Sequence, residues 1–486
     1  MAVLKLSTPG VYVQEIPTLP PSIAEVETAI PAFIGYTEKA DRFSAGDLKL
    51  MPNKISNFGE FEQFYGGPRV EADDSVVITV KDYGNSKYEV LFTYDPAKRS
   101  NYNLYYSVKH FYDNGGGTCY IVSVNPYSVD GAISKDDLKG GLAVVNEVDE
   151  VTLLVIPEAA NINKTDGGSA YKEVVKAMIL QAYTLKDRFA LIDPYKVTPK
   201  NTTDPNGDID ADVLVIRDAS LTVAENKYAA AYYPNLITTY DFKYDFDNLS
   251  IDNYALVGVP APSTADYAGK KLSQVGNGSV LYTKVKEELK KQYVILPPSP
   301  AIAGLYTRID HSKGVWKAPA NESVLAVVGP EINISSREQE NLNVDPAFGK
   351  SINVIRTFPG FGTLVWGART LNGNDNEWRY ISVRRFFNMV EESVKKSSQW
   401  AVFEPNTIST WVKMQAMIEN YLFLKWREGA LAGVKPEQAF FVRVGLGTTM
   451  TSLDVLEGRL NVEIGMAVAR PAEFIVLKFS QLMQQS

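Results

Sequence analysis

Between residues 104 and 192 short apolar runs that read as strands alternate with segments of helical periodicity, and this alternation limits the fold more than any other feature of the chain. A short helix runs from residue 104 into the Gly115-Gly116-Gly117 break, and a buried strand follows with Thr118-Cys119-Tyr120-Ile121-Val122. Val151 to Ile156, stopped by Pro157, is a second continuous apolar run. Residues 170–186 place Val175, Met178, Ile179 and Ala182 at helical spacing, with Ser169 positioned to cap the helix. Phe189-Ala190-Leu191-Ile192 then reads as another strand. Strands separated by helices in this way predict an α/β layer with a largely parallel sheet.

The flanks have a different texture. Pro9, Pro17, Pro20 and Pro21 exclude a helix at the start, while Val11 to Ile16 reads as one short strand with no hairpin partner beside it. Ala29 to Gly35 is a buried-strand candidate. Val76–Val80 and Tyr88–Phe92 flank a Gly84-Asn85 turn and predict a β-hairpin, set among Asp and Lys as a small solvent-facing insertion. All six tryptophans lie beyond residue 315. Helical segments at about 379–397 and 409–428 precede strand-like runs at 438–444, 460–469 and 472–480. The expected fold is therefore α/β multi-domain. An extended N-terminal arm occupies 1–20, and an α/β middle region with a β-rich hairpin insertion near 70–100 occupies 21–350. A C-terminal α+β domain at 351–471 and a terminal strand arm at 472–486 complete the chain.

Composition narrows the chemistry. A net charge of −8 argues against general nucleic-acid binding, which needs a basic excess to neutralise phosphates. The charge is uneven: residues 351–486 carry 15 Lys+Arg and 12 Asp+Glu, leaving 34 and 45 to residues 1–350. A single cysteine, Cys119, excludes an intramolecular disulfide and reads as a structural thiol in a buried strand. The start of the chain lacks the pattern of a signal peptide, and no run approaches a membrane span, so synthesis and folding in the cytoplasm are expected. Only His110 and His311 exist, so a multi-histidine metal site is excluded. His110 falls on a helix face in Val108-Lys109-His110-Phe111-Tyr112 and His311 in the polar turn Asp310-His311-Ser312; both read as structural or solvated. Gly349-Lys350-Ser351 mimics the end of a phosphate loop, but Val344 stands where its first glycine is needed. Asp204-Pro205-Asn206-Gly207-Asp208 resembles the start of a calcium loop, yet Ile209 and Val215 replace its glycine and glutamate. No G-x-S-x-G elbow occurs. Neither an enzyme nor a cofactor is expected.

Several segments, spread in order over nearly the whole chain, resemble the contractile tail sheath family. They are Thr8-Pro9-Gly10-Val11-Tyr12-Val13-Gln14-Glu15, Ala32 to Thr37, Phe64-Tyr65-Gly66-Gly67-Pro68, Val108 to Gly116, Lys186 to Asp193 and Lys227 to Pro234. The most telling is Ala303-Gly304-Leu305-Tyr306-Thr307-Arg308-Ile309-Asp310 with Gly314 to Asn321. The C-terminal part is similar through Trp366-Gly367-Ala368-Arg369-Thr370, Tyr380 to Arg385 and Phe403-Glu404-Pro405-Asn406.

The resemblance implies a subunit that polymerises with itself into stacked, usually six-fold rings around an inner tube protein, bounded by baseplate and terminal cap proteins. Neither nucleic acid nor direct membrane insertion belongs to that role. Its setting is a phage tail or a phage-tail-like particle, with some preference for an injection system. Neighbouring subunits of the family exchange terminal strands. Here Val11, Tyr12, Val13 and Ile16 at one end, and Phe474, Ile475, Val476, Leu477 and Phe479 at the other, have the composition for it. A candidate tube contact is a basic stripe on one helix: Arg385 and Lys396 project within ~20° of each other, as do Arg384 and Lys395. The same residues also fit a solvated helix face with Glu391 and Glu392 as partners, and lysines near a helix end gain from the macrodipole. The competing class is a hydrolase on the α/β middle region.

Overall fold

The structure, a computed structural model, describes residues 22–95, 98–162, 166–195, 209–258 and 267–478. The Val11–Ile16 run, Asp204 to Asp208 and Phe479 lie outside the described residues. The described residues divide into two compact units, one of residues 27–389 with 470–478 and one of residues 22–26 with 390–469.

The larger unit is organised by a nine-stranded sheet. Its order is Glu322–Ser323, Gly362–Val365, Ile352–Phe358, Ala229–Tyr233, Phe189–Ile192, Leu153–Val155, Pro31–Thr37, Cys119–Pro126 and Asn53–Ile55. The six strands from Ile352–Phe358 to Cys119–Pro126 run parallel, and antiparallel pairs occur only at the two ends. The expected alternation is realised here. Successive strand residues point to opposite faces, so Phe33, Ile121, Leu153 and Leu191 enter one core while Ile34, Val122, Leu154 and Ile192 enter the other. A parallel sheet covered on both faces needs strands apolar throughout, which is why these runs look continuous rather than alternating. Helices Leu104–Asp113 and Ser299–Lys313 contribute to the first core; Lys135–Val144, Ser169–Leu185 and Ile209–Ala219 contribute to the second.

Four expectations are corrected. The division at residue 351 is displaced, because Ile352, Asn353 and Val354 register against Ala231, Tyr232 and Tyr233 inside the large sheet. The separation instead falls within helix Ile381–Ser397, after Met389. Ser169 is not the cap of its helix: Gly168 occupies that position at φ 79°, and the Asp166 carboxylate accepts from Gly168 N–H and Ala170 N–H, each at 2.9 Å. His311 lies in the last turn of helix Ser299–Lys313 rather than in a turn outside it.

The hairpin also forms, Val76–Asp82 against Tyr88–Tyr94, but it is no solvent-facing appendage. It is joined in parallel by the distant strand Ile251–Leu256. Val76, Ile78 and Val80 occupy alternate positions on the first strand and are buried with Leu249, Ile251, Leu281, Val285 and Leu289 in a core of their own. The apolar face of the hairpin needs a cover, and helix Val280–Leu289 supplies it.

In the smaller unit, helix Ile408–Arg427 buries Trp411, Met414, Met417, Ile418, Tyr421 and Leu422 at helical spacing. A two-stranded antiparallel ribbon, Phe440–Val444 against Val462–Met466, follows. The strand-like runs at 438–444 and 460–469 are thus found, whereas residues 472–478 form no ladder with any other described residues.

Candidate assembly surfaces

The carboxyl ends of parallel strands are where α/β proteins place their chemistry. Two buried carboxylates stand there, and both are occupied with backbone. Glu158, just beyond strand Leu153–Val155, accepts from the N–H groups of Tyr36 at 2.8 Å, Asn103 at 3.1 Å and Leu104 at 3.2 Å. It thereby caps helix Leu104–Asp113, which has no side-chain cap of its own. Asp193, at the end of strand Phe189–Ile192, accepts from Ser299 N–H at 2.7 Å and Ser299 Oγ at 2.5 Å and caps helix Ser299–Lys313 in the same way. Burial pushes Glu158 up to about 8, opposed by its three N–H bonds, and Asp193 up to about 7, opposed by Ser299.

The remaining polar candidates are structural too. His110 is fully buried with Nε2 3.0 Å from Leu325 O, and burial lowers it to about 4. Cys119 is buried, its thiol pushed up to about 12 by burial. Lys350 donates to Arg217 O at 2.7 Å, and the Gly349-Lys350-Ser351 run leads into a strand rather than a helix. Among the described residues no group of His, Cys, Asp or Glu could hold a metal ion, and no helix is long and apolar enough to cross a membrane.

The basic stripe is corrected by burial. Arg384 and Arg385 are 2% and 4% exposed. Arg384 donates from Nε to Asn388 Oδ1 at 2.8 Å and lies 4.5 Å from the Trp378 ring centroid and 4.8 Å from that of Tyr228. Arg385 forms a two-pronged pair with Asp310, donates to Thr28 O at 2.9 Å and lies over the Tyr306 ring. Lys395 and Lys396 do remain partly exposed, both paired with Glu392. A helical projection gives the direction of a side chain but not the Tyr228, Tyr306 and Trp378 rings that cover two of the four cations.

The C-terminal segment behaves oppositely. Its root is fixed: Glu473 accepts from Arg369 Nε at 2.9 Å and Nη2 at 2.5 Å. Immediately beyond, Phe474, Ile475, Val476 and Leu477 are 73%, 77%, 78% and 71% exposed. Four consecutive large apolar residues thus form a contiguous apolar patch open to solvent. Pro471 to Ile475 also line a groove of about 510 Å³ with Lys317, Gln339 and Trp366.

The smaller unit carries an open-edged ribbon. The ribbon has only two strands, so each of them offers an outer edge that no strand among the described residues occupies. Its solvent face is prepared rather than bare. The Phe441 ring lies where a side chain on the facing Gly465 would stand, and Arg443 sits 4.5 Å from the Phe441 ring centroid, across from Glu463.

An α/β body whose sheet-end carboxylates are spent on helix caps, with an exposed apolar arm and an open-edged ribbon, has the features of a self-assembling structural subunit. Comparison with known proteins gives the family. The model for the phage tail sheath protein central domain matches residues 131–371, and that for the phage tail sheath C-terminal domain matches residues 373–481. A chain in the cryo-EM structure of the anti-feeding prophage (AFP) baseplate, 6-fold symmetrised, is 29% identical, covers 98% of this chain and 100% of that one, and superposes with a TM-score of 0.62. A chain of the PVC sheath complex of an extracellular contractile injection system, in the contracted state, is 29% identical with 98% of both chains covered and a TM-score of 0.61. The tail sheath protein of Enterobacteria phage T4 is 25% identical over 242 residues, 46% of this chain and 35% of that protein. The chain therefore matches about a third of that relative's length. It belongs to the contractile tail sheath family.

Proposed function

We propose that this chain is the sheath subunit of a contractile phage-tail-like particle: it polymerises into stacked rings, six subunits to a ring, around an inner tube and shortens to drive that tube through an envelope. The exposed Phe474–Leu477 arm carries the reading, because a contiguous apolar patch open to solvent is the mark of an interaction surface. The arm of one subunit adds to an open edge of the Phe440–Val444/Val462–Met466 ribbon of another, and the N-terminal run at Val11–Ile16 serves as a second strand. Each main-chain hydrogen bond so formed contributes on the order of 1 kcal/mol net, and several per link repeated through a lattice give a mesh that bends without parting. Contraction is then a change between two packings of the same subunits, with no nucleotide consumed at firing. Baseplate and terminal cap proteins bound the polymer, which assembles in the cytoplasm. The hydrolase reading has no observation in its favour, since Glu158 and Asp193 are engaged as caps.

Disulfide trapping tests the strand exchange. A chain carrying Val476→Cys is co-assembled with chains carrying single cysteines scanned through 440–444 and 462–466. Cross-links confined to alternate positions of one ribbon edge are expected. Assembled tubes in which no scanned position links to the arm contradict the exchange.

A further inference from the structure

Arg369 is built into the larger unit more firmly than an ion pair alone requires. Its N–H donates to Asn353 Oδ1 and its carbonyl accepts from Asn353 Nδ2, both at 2.8 Å, and Asn353 lies within the parallel sheet. Its Nη1 donates to Asn343 O and Gly373 O, each at 3.3 Å. The neighbouring Gly367 is required by the close approach, since a side chain there would lie 2.8 Å from Asn353 Oδ1 and 2.9 Å from its Cα. The guanidinium, 3% exposed as a side chain, thus has one edge held by carbonyls and the other, Nε with Nη2, taken by Glu473. Such a fork fixes a carboxylate in position and orientation, not merely in proximity. Tyr380 Oη donates to the same carboxylate at 3.3 Å.

The placement of this pair along the chain gives it a consequence. Glu473 is the last residue before the exposed run, so the first free residue of the arm is Phe474. In an extended strand Phe474 and Val476 project to one side and Ile475 and Leu477 to the other. A slip of one residue at the root would exchange the two sets throughout the arm.

We propose that Arg369 is a positioning residue for assembly: by pinning Glu473 it sets the register in which the C-terminal arm is offered to a neighbouring subunit. This rests on the arm-exchange reading above. The Arg369–Glu473 pair is a buried-to-surface anchor whose role is to count residues, and the Trp366-Gly367-Ala368-Arg369-Thr370 segment is its mount.

Insertions at the root test this. One serine placed between Glu473 and Phe474 should reduce tube formation at least tenfold, scored by negative-stain microscopy, while two serines, which restore the order of faces, should reduce it less. The decisive variant combines the one-serine insertion with Glu473→Ala. Released from the pin, the root can slide by one residue, and tube yield should recover several-fold over the insertion alone. A single cooperative melting transition in every variant establishes that the subunit itself is folded; the variants with Glu473→Ala, which leave the buried Arg369 without its carboxylate, are expected to melt at a lower temperature. Normal assembly of the one-serine variant, or no recovery on adding Glu473→Ala, overturns the pin. Deletion of 472–486 runs alongside: if that chain still forms tubes, the arm-exchange reading fails, and if only the insertion is tolerated, the pin alone fails.

Discussion

Arg385 donates to both oxygens of Asp310, at 3.0 and 2.5 Å, with 4% and 8% of the two side chains exposed. The same carboxylate accepts from Thr28 Oγ1 at 2.6 Å, and the same guanidinium donates to Thr28 O. The pair therefore fastens the chain just before the first sheet strand. Removing one partner of a buried pair strands the other, so Asp310→Ala should cost about 3–5 kcal/mol in denaturant unfolding. Lys54→Gln, which removes one partner of the exposed Lys54–Glu150 pair, should cost below about 1 kcal/mol. Equal effects from the two variants would show that Arg385 is not held as described.

Glu158 gives a pH dependence of defined sign. Its folded pKa, about 8, lies above its ordinary value of 4.5. Between those values the folded state keeps a proton that the unfolded state has lost, so this group's contribution falls as pH rises from about 4.5 to 8. The slope is at most about 1.4 kcal/mol per pH unit. Asp193, raised from 3.8 to about 7, adds a contribution of the same sign at the lower end of that window. Glu158→Gln should be less stable than the parent at pH 5 and should flatten the decline between pH 5 and 8 in urea titrations. An unchanged slope would mean that Glu158 stays ionised throughout.

Glycine substitutions separate close approach from open space. A Cβ on Gly35 would lie 2.6 Å from Glu158 Oε2, whereas Gly140, inside helix Lys135–Val144, has nothing within 4 Å. Gly35→Ala is expected to destabilise by about 1–3 kcal/mol through overpacking. Gly140→Ala is expected to stabilise by about 0.5–1 kcal/mol through helix entropy. Thermal melts of the two variants should move in opposite directions; movement in the same direction would contradict the packing around Glu158.

The sequence revealed what is local. Continuous apolar runs located four of the six parallel strands, Pro31–Thr37, Cys119–Pro126, Leu153–Val155 and Phe189–Ile192, and local periodicity located the hairpin and the helices at 381–397 and 408–427, because each signal lies within a few consecutive residues. Ala229–Tyr233 and Ile352–Phe358 are not among the strands expected. Partners far apart in the chain left no such trace. The cover of Val76, Ile78 and Val80 comes from residues 249–289, so the hairpin looked detachable. Glu158 caps a helix that begins 54 residues earlier, a distance no capping box spans. The arm composition at Phe474–Leu477 was legible, as was the segment containing Arg369; that the two meet through Glu473, 104 residues away, was not.

The hairpin correction has its own test. Replacing residues 73–95 with a short Gly/Ser linker strips the cover from Leu249, Ile251, Leu281 and Val285, and the chain is expected to become insoluble or to bind a hydrophobic dye. Leu281→Ala, a milder change in the same core, should cost about 2–5 kcal/mol. A soluble linker variant with parental stability would return the hairpin to the status of an appendage.

The central claim is that the exposed C-terminal arm builds the polymer, and negative-stain electron microscopy of the full chain beside a chain ending at residue 471 tests it most directly. The full chain is expected to form regular tubes; the shortened chain, which also loses the Glu473 partner of the buried Arg369 and so melts at a lower temperature, is expected to remain a folded subunit with a single cooperative transition and no tubes. Tubes of the same diameter from the shortened chain would contradict the account.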